Sequence, residues 1–392
     1  MIALVVGFVS PTVSPSAAQA ITGLGQQDAL LVVDSSGRTI LTHNPDQAMV
    51  PASTLKLLTS LAALHYLGPD FRFHTDFFID GHDTLGIKGY GDPLLVSEVI
   101  SDIAPSLAEK LPPQINGILL DESYFSGPMT IPGVSASTNP YDAPVGALCA
   151  NFNTVFFTHA NGQLKSAEEQ TPLLPMVLNR IRRSGLKEGR IILSHQHDEA
   201  PLYAGNLFRY FLDQAGVVTH GEVRVTPKGL SEASRIYRYV SPYALPQIIQ
   251  RLLEYSNNFT ANQLLLAIGA QCYGPPATLD KGVRALTVYA RDVIGIQDGV
   301  FVEGSGISRH NRLSVRAMAA VLSHFSPHVQ LMSHKGREYY KTGTLRGIRT
   351  RAGYIEVTPG EFYRFALFRN RRGQTTGPVM RQIYQYLSEY ED

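Results

Sequence analysis

Residues 51–57 read PASTLKL. Ser53 and Lys56 stand one helical turn apart among small and apolar neighbours. A serine hydroxyl is a weak nucleophile until a base takes its proton. A lysine at i+3 on a helix is within reach, but it serves as a base only when neutral. Burial or a nearby positive charge would keep it so. A helix N-terminus also offers backbone N–H groups to a developing oxyanion. Alone, the string S-x-x-K is a weak signal: a helix-capping serine followed by a surface lysine reads the same way.

Two other short strings carry compatible chemistry. In Ser256-Asn257-Asn258 the serine can relay a proton and Asn258 can hold a substrate amide, although Ser and Asn also serve as plain loop caps. In Lys341-Thr342-Gly343, lysine and threonine on an edge strand can meet a carboxylate. Gly343 would let a ligand backbone come close, and Thr344 could add the second oxyanion N–H. Edge-strand lysines also simply deter aggregation.

The elements around these strings decide between the readings. Residues 29–43 read as a hairpin around Asp34-Ser35-Ser36-Gly37. A helix is expected over 53–67, stopped by Gly68-Pro69, which puts Ser53 at its N-terminus and Lys56 one turn in. Two helices meet at Tyr255-Ser256-Asn257-Asn258. Near the end, EYYKTGTL, RTRAGYIEV and EFYRFALFRN read as consecutive strands, and a helix over about 376–389 closes the chain. The hairpin and these strands are expected to form one antiparallel sheet with the terminal helices on one face. Residues 21–74 and 237–392 would then make one discontinuous catalytic domain. Residues 75–236 would be an inserted, mainly-β domain, with short β-like runs such as HTDFFID and INGILLDESYF and an amphipathic helix over 203–215.

Each motif thus falls on the element its chemistry needs. The order S-x-x-K, S-x-N, K-T-G resembles that of penicillin-binding proteins and serine β-lactamases. PASTLKLLTSLAALHYLGPDFRF, GYGDPLL, YDAPVGAL, LYAGNLFRYFLDQAG, EGSGISRHNRLS and KTGTLRGIRTRAGYI extend the likeness from about residue 29 to the C-terminus. The chain resembles the low-molecular-mass class C penicillin-binding proteins, the D-alanyl-D-alanine carboxypeptidase/endopeptidases. The resemblance implies an α+β transpeptidase fold and acyl transfer through a serine ester. Ser53, Lys56, Ser256, Asn258 and Lys341 would be catalytic, with Thr342, Gly343 and Thr344 binding substrate or oxyanion. Substrates would be peptidoglycan stem peptides ending in D-Ala-D-Ala and cross-linked muropeptides, and β-lactams would acylate Ser53. No metal or organic cofactor is expected. Asn257 stands where aspartate is commoner, Asn262 where glutamate often stands, and the insert looks shorter than in the longest members.

Composition agrees. Of 392 residues 44% are hydrophobic and 17% charged, enough apolar material for a core. The net charge of +1 calls for neither nucleic acid nor an acidic membrane surface. Residues 1–20, ending Ala18-Gln19-Ala20, read as a signal peptide for export to the periplasm, although no Lys or Arg precedes the apolar run. That run is too short to span a bilayer, which takes about 20 residues. Cys149 and Cys272 suggest two separate thiols rather than a disulfide framework. His195-Gln196-His197-Asp198 reads as a solvated loop, since no second cluster would complete a metal site. Gly304-Ser305-Gly306 is expected to shape the site wall without doing chemistry. Arg349 and Arg351 read as a solvated face, and Arg346 could meet a substrate carboxylate. A serine β-lactamase is the nearest alternative, but fast deacylation in class A uses a separate glutamate in E-x-x-L-N, a string this chain lacks. A non-catalytic wall sensor is the other, disfavoured by three intact motifs.

Overall fold

The computed structural model of the chain describes residues 21–196, 198–226 and 229–390, so the expected signal peptide and His197 lie outside it. β-Branched and aromatic runs from both ends of the chain build a six-stranded sheet. Its order is Ser333–Lys335, Glu338–Leu345, Ile348–Thr358, Glu361–Arg369, Asp28–Val33, Thr39–His43, and every neighbouring pair is antiparallel. The hairpin and the three late strands lie where the sequence places them; the short Ser333–Lys335 strand is an addition. Asp28 faces Arg369 across the pairing of first and last long strands, and Arg369 Nη2 donates to Asp28 Oδ2 at 3.1 Å.

Both faces of this sheet are covered, not one. Alternation along Asp28–Val33 explains why. Ala29, Leu31 and Val33 join the Lys56–Leu67, Leu245–Tyr255, Asn258–Tyr273 and Val315–Phe325 helices in the largest apolar cluster. Leu30 and Val32 join Met380 and Ile383 of the Gly377–Tyr390 helix on the other face.

The region 75–236 builds its own apolar cluster, with buried residues from Phe77 to Val217. Its larger sheet runs Val223–Val225, Gly117–Asp121, Thr84–Gly89, His74–Ile79, Arg235–Val240. Gly117–Asp121 is parallel to both of its neighbours. Parallel neighbours need long crossovers, usually helical. Ser97–Ala108 and Glu199–Gln214 fill that role, and only the second was legible as an amphipathic stretch. A small sheet of Gln163–Ser166, Thr154–Ala160 and Gly189–Ile192 sits alongside, with the Pro175–Ser184 helix. Cys149 is buried, Cys272 half-buried, and both are free thiols.

Candidate active site

Ser53 lies in a 3-10 turn over Ala52–Leu55, and the α-helix proper begins at Lys56, later than the pattern suggests. Ala52 is left-handed at φ 47°. Such strain in a residue with a Cβ persists only where the surroundings impose it. Here Pro51 O accepts from Thr54 Oγ1 and Thr350 Oγ1, both at 2.7 Å. Two glycine backbones press on the turn: a Cβ on Gly306 would sit 1.9 Å from Ala52 O, and one on Gly343 2.8 Å from Ser53 N. Only glycine fits at either place.

Lys56 is fully buried. Its Nζ lies 3.0 Å from Ser53 Oγ, 2.8 Å from Asn258 Oδ1 and 2.7 Å from Ser305 O. Burial holds its pKa well below the usual lysine value, and the charge of Lys341 lowers it further, while Glu303 works the other way. A neutral amine has two N–H groups and one lone pair. The two carbonyl oxygens can only accept, so they take the N–H groups. The lone pair is left facing the Ser53 hydroxyl, as a base requires. Asn258 is oriented for this by its Nδ2, which donates to Tyr141 O at 3.2 Å.

The second carbonyl comes from a turn to which the sequence reading assigned no chemistry. Glu303 is completely buried. It accepts from Ser305 N at 2.7 Å, Ser305 Oγ at 2.6 Å, Gly306 N at 2.7 Å and Asn311 Nδ2 at 2.6 Å. That carboxylate fixes the loop whose Ser305 carbonyl holds Lys56. Asn262 ties the loop to the second motif: its Oδ1 accepts from Gly304 N at 2.8 Å and its Nδ2 donates to Asn258 O at 3.2 Å. A backbone carbonyl leaves no mark in a sequence. The string E-G-S-G, with a carboxylate two residues before the serine, was the available signal.

The second motif joins two helices, as expected. Ser256 closes Leu245–Tyr255 in a left-handed conformation, φ 55°. Asn257 caps Asn258–Tyr273 by accepting from Thr260 N at 3.1 Å. Ser256 Oγ makes no hydrogen bond among the described residues, so its proton is free for a ligand.

The third motif lies on Glu338–Leu345, whose outer neighbour Ser333–Lys335 pairs only with Glu338 to Tyr340. From Lys341 onward that edge is open. Alternate residues of an antiparallel ladder point their N–H and C=O groups to opposite sides. Counting from the Lys335–Glu338 and Leu345–Ile348 pairs beside the two tight turns, Thr342 and Thr344 point theirs outward. Their side chains are exposed, while Lys341 and Gly343 are buried on the strand's other face. Desolvation lowers the Lys341 pKa to about 8. The site therefore unites Ser53, Lys56 and Asn258 by direct bonds and Gly343 by close packing. Lys341 is near enough to act on Lys56 through its charge.

Arg349 and Arg351 are structural rather than a solvated face. Arg351 pairs with Glu338 at 2.6 Å, and Arg349 Nη1 donates to Ile348 O at 2.8 Å. Arg346 is exposed. His195 Nε2 donates to Ser137 O at 2.9 Å. Among the described residues no group of three or more His, Cys, Asp or Glu is placed to hold a metal ion.

The sequence pattern of the D-Ala-D-Ala carboxypeptidase 3 (S13) family matches residues 16–183 and 179–334. The chain belongs to that family. As an S13 member it is a serine hydrolase among the low-molecular-mass class C penicillin-binding proteins. It is 24% identical over 412 residues to a D-alanyl-D-alanine carboxypeptidase, DacB, of Haemophilus influenzae, covering 88% of this chain and 85% of the relative. The crystal structure of penicillin-binding protein 4 from H. influenzae superposes with a TM-score of 0.77 at 20% identity, covering 95% of this chain and 98% of the other. That protein has also been solved with a β-lactam. A predatory endopeptidase of Bdellovibrio bacteriovorus shares the fold at a TM-score of 0.54 and 16% identity, covering 93% of this chain and 92% of the other.

Proposed function

We propose that the protein is an exported, periplasmic D-Ala-D-Ala carboxypeptidase that also acts as a DD-endopeptidase on peptidoglycan. The observation that carries the reading is the amine of Lys56, held by two carbonyls with its lone pair toward Ser53 Oγ. Lys56 takes the hydroxyl proton as Ser53 Oγ bonds to the carbonyl carbon of the penultimate D-alanine. The N–H groups of Ser53 and Thr344 hold the oxyanion. The C–N bond then breaks as Ser256 gives its proton to the leaving amine and takes back the one that Lys56 received from Ser53. Lys341 keeps the region positive, Asn258 and Thr342 seat the substrate backbone and its carboxylate along the open edge, and Gly343, expected to admit a ligand backbone, instead makes room for the Ala52–Ser53 turn. In deacylation water gives a proton to Lys56 as its oxygen bonds to the ester carbon, the C–O bond to Ser53 breaks, and Lys56 returns the proton to Ser53 Oγ.

A leaving D-alanine makes the reaction a carboxypeptidation; a leaving side-chain amine of a cross-link makes it an endopeptidation. Separate apolar clusters support dividing the chain into a catalytic domain, 21–74 and 237–392, and an insert, 75–236. Among the described residues no helix is long and apolar enough to cross a membrane. The small and apolar residues 1–20 support export. Mass spectrometry after incubation with benzylpenicillin should find one adduct, on Ser53, and none on a Ser53→Ala variant. A D-Ala-D-Ala peptide should release D-alanine. An unmodified wild type, or full acylation of Ser53→Ala, would overturn the assignment.

A further inference from the structure

On the side of the Ser256-Asn257-Asn258 loop away from Lys56 lies a cleft of about 360 Å³ between the insert and the catalytic helices. Asn257, Thr260 and Arg251 line one wall, and Pro140, Phe152 and Arg190 the other. An adjoining chamber of about 190 Å³ shares Phe152, Arg190 and Arg251. The cleft's Asn257 and Pro140 adjoin Asn258 and Tyr141, and Asn258 bonds both Lys56 Nζ and the carbonyl of Tyr141.

Three observations point to a ligand. First, the two arginines differ. Arg190 is neutralised by Glu168. Arg251 stacks its guanidinium 4.8 Å over the Tyr243 ring and has no carboxylate partner among the described residues. An exposed guanidinium fixed on an aromatic face without an acid is a ready carboxylate receptor. Second, Tyr255 at the lip is 70% exposed, an aromatic surface left open to solvent. Third, Asn151, Phe152 and Asn153 are left-handed in succession, at φ 49°, 59° and 54°. Buried bonds enforce this: Asn151 Nδ2 donates to Ser97 Oγ at 2.8 Å and Asn153 Nδ2 to Pro144 O at 2.8 Å. Such enforced strain concentrates where a side chain must be presented, here Phe152 at the junction of the two chambers.

We propose that this cleft binds the leaving arm of a cross-linked substrate, a peptide whose free carboxylate meets Arg251. The inference rests on the function proposed above. There, Ser256 protonates the leaving amine, so the leaving arm departs beside the 256–258 loop and runs onto the cleft. A free D-alanine is too short to reach it. The cleft therefore selects for endopeptidase action and leaves carboxypeptidase action untouched.

The test compares a cross-linked muropeptide dimer, the same dimer with only the leaving arm's carboxylate remote from the scissile bond amidated, and a short D-Ala-D-Ala peptide. Arg251→Ala should raise KM for the dimer about tenfold, the size of one lost charged contact, with kcat unchanged. Arg251→Lys should restore part of it, and Tyr255→Ala should also raise that KM. Amidated dimer on the wild type should reproduce the Arg251→Ala value, which keeps the test independent of how the variant folds. Benzylpenicillin acylation and short-peptide KM should not move in any variant. Equal KM for dimer and amidated dimer, an unchanged dimer KM in Arg251→Ala, or no dimer cleavage by an enzyme that releases D-alanine would each overturn the cleft. Failure of the wild type to acylate would instead overturn the function beneath it.

Discussion

Lys56 shows how a buried lysine becomes a base. Taking an ammonium out of water costs several kcal/mol unless a counter-charge lies close, so the neutral form gains by default. The charge of Lys341 adds to that bias, and that of Glu303 opposes it. Lys56→Arg keeps the reach but cannot give up a proton near neutral pH. It should slow benzylpenicillin acylation by about a hundredfold to ten-thousandfold, the usual worth of a general base. Because the arginine stays charged where Lys56 is neutral, unfolding should become easier by about 3–5 kcal/mol, the cost of a buried charge, measurable by urea titration. Lys341 makes a second prediction. Its pKa is lowered to about 8, so it is charged below that value and neutral above it. Attraction for a substrate carboxylate is thus present at low pH and lost as pH rises through about 8. KM for a D-Ala-D-Ala peptide should rise across that window, and should not rise in Lys341→Met, whose KM is already high.

At the scale of elements, the loop from Glu303 to Asn311 works as a clamp. Glu303→Gln keeps the shape but turns one acceptor oxygen into an NH2 donor, so either the Ser305 N and Oγ bonds to Oε2 or the Gly306 N and Asn311 Nδ2 bonds to Oε1 are lost. Loosening the Ser305 carbonyl should cost up to about a hundredfold in acylation rate, as small misplacements of reacting groups do. The charge of Glu303 also raises the pKa of Lys56. Removing it should shift the acid limb of the pH–rate profile to lower pH, a sign opposite to general damage. This clamp was not legible in the sequence, because its working group is a main-chain oxygen. The three motif elements were legible, since periodicity and turn residues mark them. The insert's Ser97–Ala108 and Pro175–Ser184 helices were not, because short β-like runs around them dominated the pattern. Nor was the left-handed run at Asn151 to Asn153, which buried contacts impose against local preference.

For the whole molecule, the central fact is that Asp28–Val33 pairs with Glu361–Arg369. Asp28 is fully buried and bonds Arg369 Nη2 at 3.1 Å and Arg371 Nη2 at 3.4 Å. Removing one member of a buried pair strands the other's charge. Asp28→Ala should lower the unfolding free energy by about 3–5 kcal/mol in urea titration, with little change in acylation of the molecules still folded. The pairing of the N-terminal hairpin with the late strands was foreseeable from the two sets of strand-like runs. The covering of both sheet faces was not read, although the unbroken apolar run in ALLVV is the mark of a strand buried on both sides.

That pairing also sets a clock. A chain emerges N-terminus first, at about 5–20 residues per second. The PASTLKL residues are therefore synthesised long before the Lys341 and Glu361 strands that complete their surroundings. Until they arrive, Ser53 lacks the glycine at its back and Lys56 the charge that helps keep it neutral. An incomplete chain holds a serine and a lysine, but no hydrolase. The hydrolase is switched on only when the Glu338–Leu345 and Glu361–Arg369 strands dock.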